Sequence, residues 1–235
     1  MGLEELGGVI LAQSSQRVEL AAQNLTNATT IGYKARRAFL PLVDAVGAGA
    51  GAGQASAQGA SADFTAGALR STKNPFDLAI DGSGFFVVRS GERTLYTRAG
   101  QFQRGDDGRL VTPDGAVLQS LGGDVRIGDG DFTVLADGTI QQAGQPAAQI
   151  AVMDFADKLA LTPMGSGLFA AAPDTPARDV ASPQIRQGMV EASNVSTSDE
   201  MTSMMVAVRS AETGQRVIQV YDDLMGRAIS TFGQM

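Results

Sequence analysis

Thr197-Ser198-Asp199-Glu200-Met201-Thr202-Ser203-Met204-Met205 opens the stretch that decides the fold, and the stretch runs on to about residue 229. Residues 197–200 have the form of a capping box. The Thr197 hydroxyl can accept the backbone N–H three residues on, and Glu200 can reach back to the cap. Beyond the box there is no Pro, and Gly214 and Gly226 are the first glycines to follow. Met201, Met204, Val208, Ala211, Ile218, Met225, Ile229 and Phe232 recur in steps of three and four, with Gln215 and Asp222 as polar breaks. That spacing predicts a helix with a heptad-like apolar seam. Met205, Val217, Val220, Tyr221, Leu224 and Ala228 form a second stripe. At about 1.5 Å per residue the helix is about 50 Å long, and two apolar faces call for more than one neighbour. The same stripes would suit a long core helix of an ordinary globular domain, so the rest of the chain has to decide.

A partner helix is predicted at the other end, over residues 3–26. Leu3, Leu6, Ile10, Leu20 and the stem of Arg17 lie along one seam, and Leu11, Val18, Ala22 and Leu25 along another. Gly7-Gly8 sits early enough that the first turn is expected to fray. The run Asn24-Leu25-Thr26-Asn27 should end the helix, because Asn and Thr compete for its backbone bonds and Gly32 can take positive φ. A capped helix end accounts for those residues, but not for Tyr33, Arg36, Arg37 and Phe39 straight after them.

Residues 47–62, GAGAGAGQASAQGASA, are low in complexity and read as a linker or exposed loop. From Asn74 the pattern changes to short strands between tight turns such as Asp81-Gly82, Asp107-Gly108, Asp114-Gly115 and Asp137-Gly138. Strands are predicted at residues 78–80, 85–88, 94–97, 101–103, 109–112, 116–121, 125–127, 132–135, 139–142 and 148–155, with 168–171 the last. Turns every ten or so residues predict an all-β barrel or sandwich. The fold class is therefore α+β: N- and C-terminal helices paired as a coiled coil, with a barrel- or sandwich-like module inserted between them.

Composition narrows the function. The 235 residues carry a net charge of −7 and include neither His nor Cys. The acidic balance lacks the electrostatic footprint of a nucleic-acid binder. No run of about 20 apolar residues predicts membrane insertion. The N-terminus has none of the regions of a cleaved secretory signal, so none is expected. Without Cys or His there is no thiol nucleophile, no imidazole-based triad and no N/S zinc site. Asp77 and Asp81 could be drawn as a carboxylate pair, but Asp81-Gly82 reads as turn chemistry. Asp129-Gly130-Asp131 lacks the later ligands of a Ca²⁺ loop. Gly82-Ser83-Gly84 lacks the third glycine and following helix of a dinucleotide site. The methionines of the C-terminal helix read as adaptable packing. No active site and no cofactor are expected.

Three stretches carry a resemblance. Residues 22–34, AQNLTNATTIGYK, resemble the N-terminal signature of the flagellar basal-body rod and hook family. Residues 74–86, NPFDLAIDGSGFF, with 96–102, YTRAGQF, and 107–112, DGRLVT, are similar to its central β signature. Residues 187–195, QGMVEASNV, resemble the lead-in to its C-terminal helix. Ile31 departs from the family's Pro, which would loosen the turn. Residues 208–212, VRSAE, replace a Gln-Arg-Ala-Tyr-Glu pattern. The short chain is most similar to the proximal-rod members.

The resemblance implies a structural subunit, built from an inner coiled coil of residues 1–30 and 188–235, a connector of 31–73 and an outer β domain of 74–187. It implies export by the flagellar export apparatus, and assembly with itself and with other proximal and distal rod subunits in the periplasmic part of the basal body. The expected assembly interface is Leu6, Ile10, Leu20, Asn24, Asn27, Gly32, Tyr33, Met204, Val208, Ala211, Ile218 and Met225. The alternative is a secreted β domain that binds glycan or peptide and uses its helices only to oligomerise.

Overall fold

The computed structural model describes residues 3–38 and 60–232, with the side chains of all of these except 3–6, 228, 231 and 232. Phe39 and residues 47–59 of the low-complexity stretch lie outside the described residues. The protein is α+β, with the terminal helices packed together and a β-rich middle. It divides into two compact units, a helical one of Met1–Thr26, Arg36–Ser61 and Val195–Met235, and a β-rich one of Asn27–Ala35 and Ala62–Asn194.

In the helical unit, α1 (Leu3–Thr26) packs along α2 (Thr197–Phe232). The two run antiparallel: Gly7 lies against Gly214 and Ile218, while Leu20 and Ala21 lie near Ser203 and Ala207. The buried contact line is made of small residues at heptad spacing: Gly7, Ser14 and Ala21 on α1, and Ala207 and Gly214 on α2. Residues without bulk let the backbones approach, and the larger Ile10, Leu11, Met204 and Ile218 are half-buried beside them. A Cβ on Gly7 would stand 2.7 Å from Ile218 Cγ1, closer than carbon atoms pack. The helix runs through both glycines, with Gly7 at a close approach to α2. Other expectations change. The cap of α2 is Ser196, not Thr197; Ser196 Oγ accepts from Asp199 N at 3.4 Å, and Ser196 O accepts from Glu200 N at 3.0 Å. Arg17, assigned to the seam, is exposed. Short strand Arg36–Ala38 pairs with Ala60–Ala62, so the end of the low-complexity stretch is a strand and not part of a loop.

The β-rich unit is built around Phe85–Ser90, whose first four residues are buried. It pairs with Arg93–Thr97 on one side, and with Val117–Ser120 and Val152–Phe155 on the other, inside a ten-stranded sheet. A three-stranded meander, Phe132–Val134, Thr139–Gln142 and Gln145–Gln149, forms a second sheet. Leu78–Ile80 pairs with Ile185–Gln187, and Leu69–Ser71 with Met189–Glu191. Strands thus continue well past 168–171. The predicted 148–155 strand divides at Ile150-Ala151, and 125–127 contributes buried Val125 and Ile127 without being a strand. One apolar core centres on Leu78, Phe86, Leu118, Ile140 and Ile150. A smaller aromatic core gathers Phe85, Phe155 and Phe169, with Phe64 and Tyr96 packed against it.

Candidate assembly interface

No group of His, Cys, Asp or Glu suited to a metal ion occurs among the described residues, and no described helix is long and apolar enough to cross a membrane. Asp77 is buried and accepts a hydrogen bond from Asn74 Nδ2 at 3.1 Å, while Asp81 pairs at the surface with Arg186. The two carboxylates have structural partners and do not share a cleft.

The polar chemistry concentrates elsewhere in the β-rich unit, where all three motif stretches meet. Glu191, from 187–195, is buried at the centre. Its Oε1 accepts from Lys34 Nζ at 2.6 Å and from Gly67 N at 2.8 Å, and its Oε2 accepts from Arg98 at 3.2 Å. Lys34 also donates to Thr65 O, and Arg98 to Ile80 O and Gly82 O. The Arg98 guanidinium stands 5.5 Å over the Phe85 ring. Burial pulls Lys34 below the ordinary lysine range, with Glu191 opposing that pull, and burial lowers Arg98 in the same way. Three residues on, Asn194 accepts from Ala35 N at 2.7 Å and donates to Asp63 O and Thr65 O. One carboxylate and one amide thus tie residues 32–35 and 63–67 to the chain just before α2.

Gly32 takes φ +69° and donates its N–H to Glu191 O at 2.8 Å, with Ala99 so close that a Cβ would overlap its backbone. Asn27 O accepts from Thr30 N, and Thr30 O from Tyr33 N. The turn expected to loosen at Ile31 is therefore hydrogen-bonded on both sides of it. Tyr33 is half-buried. Lys34, Arg98, Glu191 and Asn194 were all within the quoted motifs, yet none was singled out as a site. Their meeting depends on long-range pairing that spacing does not disclose.

In the helical unit, Asn24 is buried and uses its whole amide on one residue. Its Oδ1 accepts from Arg36 N at 2.8 Å, and its Nδ2 donates to Arg36 O at 2.9 Å. This side chain thereby satisfies the backbone N–H and C=O of Arg36, which the pairing with Ala60–Ala62 would otherwise leave to solvent. Leu20 is buried and Ile10, Met204, Ala211 and Ile218 are half-buried, whereas Val208 and Met225 are exposed. The side chain of Leu6 lies outside the described residues. Several large apolar residues of α2 are left exposed by the pairing with α1: Met205, Val208, Val220, Leu224 and Ile229, Ile229 by 68%. Exposed apolar surface in this amount on one helix marks a contact site.

A cavity of about 450 Å³ opens at the end of the helix pair where α1 finishes and α2 begins. Leu20, Ala21, Val206 and Ala207 supply its apolar lining, and Arg17, Arg36, Arg37 and Glu200 its charge. Arg36 donates to Gln23 Oε1 at 3.0 Å, while its Nε is buried with no partner among the described residues.

Residues 79–146 match the family described as the flagellar hook protein FlgE/F/G D1 domain, and residues 186–231 match the flagellar basal body rod FlgEFG protein C-terminal family. The chain is 30% identical to flagellar basal-body rod protein FlgG of Bacillus subtilis, over 91% of this chain and 92% of that one. It is also 30% identical to FlgF of Caulobacter vibrioides, over 94% and 93%, and 31% identical to FlgF of Salmonella typhimurium, over 92% of each. Relatives matched over more than nine-tenths of their length lead to one conclusion: the chain belongs to the flagellar basal-body rod protein family, a family of structural and not enzymatic proteins, and is a structural protein of the rod.

Proposed function

We propose that this chain is a proximal-rod subunit that polymerises with itself and with other rod proteins in the periplasmic part of the basal body, after passing through the flagellar export apparatus. The observation that carries the reading is that α1 covers only part of the apolar surface of α2. One side of α2 is closed against α1 by small residues, while Met205, Val208, Val220, Leu224 and Ile229 stay exposed. Burying such a face is worth about 25 cal/mol per Å², and it gives the helix pair a reason to assemble. Heterologous contacts, in which one surface meets a different surface of the next copy, extend into helical filaments where the rotation does not close.

Under this reading the helices act as a coiled coil, for which the heptads Gly7-Ser14-Ala21 and Ala207-Gly214 argue. The β-rich middle acts as a barrel- or sandwich-like outer module. Residues 1–30 and 188–235 form the inner domain, 31–73 the connector and 74–187 the outer domain. Leu6, Ile10, Leu20, Met204, Val208, Ala211, Ile218 and Met225 contribute to the assembling helices, some by shaping the pair and others by touching neighbours. Asn24, Asn27, Gly32 and Tyr33 hold the turn that follows α1. No feature of the described residues favours the glycan- or peptide-binding alternative.

The test places a charge on the outward face without disturbing the pair. Met205→Asp with Val208→Asp should leave the β-rich unit folded and keep the chain out of isolated basal bodies. Normal amounts of the double variant in intact rods would sink the proposal.

A further inference from the structure

The helix pair has unequal ends. Gly7 packs level with Gly214 and Ile218, and the helices run antiparallel. That register brings Leu3, the first residue of α1, level with about Tyr221. Residues 222–232 of α2 therefore project past α1 by roughly 16 Å, at about 1.5 Å per residue. On this projection Asp222, Met225, Gly226 and Ile229 fall on one face, at i, i+3, i+4 and i+7. All four are exposed, and Gly226 has open space where a Cβ would be. The opposite end of the pair is flush and holds the 450 Å³ cavity, with three arginines and one glutamate over an apolar floor.

We propose that the projecting end of α2 in one copy of this chain seats in the cavity at the flush end of a second copy. Met225 and Ile229 meet Leu20 and Val206, and Asp222 meets the arginines. This rests on the assembly reading above and names the two surfaces that it leaves open. Charge complementarity selects the occupant. Arg17 and Arg36 already outnumber Glu200 in the cavity lining, and Asp222 and Asp223 outnumber Arg227 on the projection and make it acidic at its base. The buried Arg36 Nε, unsatisfied among the described residues, gains an acceptor when the guanidinium turns toward an incoming carboxylate. Gly226 lets the helix backbone lie close to the cavity rim. The projection and cavity are different surfaces at opposite ends of one unit, so their pairing is heterologous and does not terminate at a dimer.

The chain contains no cysteine, which makes the contact directly testable. Ser203→Cys is placed at the exposed cavity wall of one full-length chain and Met225→Cys on the exposed projection of another. The two are mixed and mildly oxidised. The expected product is the Ser203→Cys/Met225→Cys heterodimer, in excess over either homodimer. Adding Asp222→Arg to the second chain should lower its yield about tenfold, and Arg17→Glu in the first should restore much of that loss. Far-ultraviolet circular dichroism of each variant checks that the helices persist. Oligomers in sedimentation without the heterodimer would overturn this docking and leave the rod reading intact. A heterodimer indifferent to both charge changes would overturn the role of Asp222. No association of the unmodified chain with itself would overturn the self-pairing altogether, while the basal-body incorporation test still judges the rod reading.

Discussion

Lys34 Nζ lies 2.6 Å from Glu191 Oε1, with both side chains only 1% exposed. Glu191 faces two buried cations, Lys34 and Arg98, so the two ends of this ion pair are not equivalent. Glu191→Ala strands both cations and should cost about 3–5 kcal/mol in denaturant unfolding of the β-rich unit. Lys34→Met removes the surplus cation and leaves Glu191 paired with Arg98. Its cost should be about 1 kcal/mol or less, since the lost hydrogen bonds are offset by relief of desolvation. Equal costs for the two changes would show that the charge imbalance is irrelevant.

The same lysine makes a pH signature. Burial lowers its folded-state pKa below the ordinary 10.5. Between the lowered value and 10.5 the unfolded chain binds more protons than the folded one, so stability should rise with pH across that window. Above about pH 10 the buried Tyr96, whose pKa is raised by desolvation, acts in the opposite sense. Thermal melts of the wild type between pH 8 and 10 should therefore climb relative to Lys34→Met. Parallel profiles would assign the alkaline dependence to other groups.

Gly8 and Gly214 are helix glycines with opposite expectations. Gly8 is exposed and has nothing within 4 Å of a Cβ position, so Gly8→Ala should stabilise α1 by roughly 1 kcal/mol through helix propensity. Gly214 has Gly7 O and Ile10 Cγ2 each at 3.2 Å from its Cβ position, and a branched side chain has no room there. Gly214→Val should lose about 1–3 kcal/mol despite removing a helix glycine. Helical melting followed by circular dichroism reads both changes. A stabilising Gly214→Val would mean that the helices do not approach closely at this point.

Asn24→Ala removes both bonds to the Arg36 backbone and leaves a part-buried N–H and C=O without their partner. The expected loss is about 2 kcal/mol, most of it the desolvation of the abandoned groups. Asn24→Asp keeps an acceptor for Arg36 N but sets a second carboxylate oxygen against Arg36 O in a buried site, so its cost at neutral pH should be at least as large and should shrink as the pH falls and the carboxyl protonates. Denaturant unfolding of the two variants at pH 7 and pH 4 reads the difference, and equal pH dependence would show that the Arg36 carbonyl does not face this side chain.

The bounds of α1 were legible in residues 3–26 because a stop made of Asn, Thr and Gly follows an apolar periodicity. The early strands were legible because Asp-Gly turns separate them. The strands Leu161–Gly165 and Ala177–Asp179 escaped because their residues are largely exposed, and Met189–Glu191 because its pairing partner Leu69–Ser71 lies far away in the chain. The helix seam was misread for a different reason. Large apolar residues mark a stripe, but here Gly7, Ala207 and Gly214 occupy its deepest line, and much of what looked like seam faces outward. Family motifs led to Lys34 and Glu191 only as parts of a pattern. Their ion pair depends on a contact that no local rule contains.

That contact also sets an order of events. Lys34 and Glu191 are separated by 157 positions, and Ala35 and Asn194 by 159. A chain emerging from its N-terminus presents the lysine first and must carry it, hydrated and unmatched, until nearly the last strand has appeared. Closure of the β-rich unit is thereby deferred until residues 191–194 have been made, since contacts between remote positions form late and slowly. Fragments ended just before residue 191 should remain protease-sensitive, and those ended just after 194 should resist. The buried carboxylate is in that sense a timer: the unit stays open until the segment that carries it has arrived.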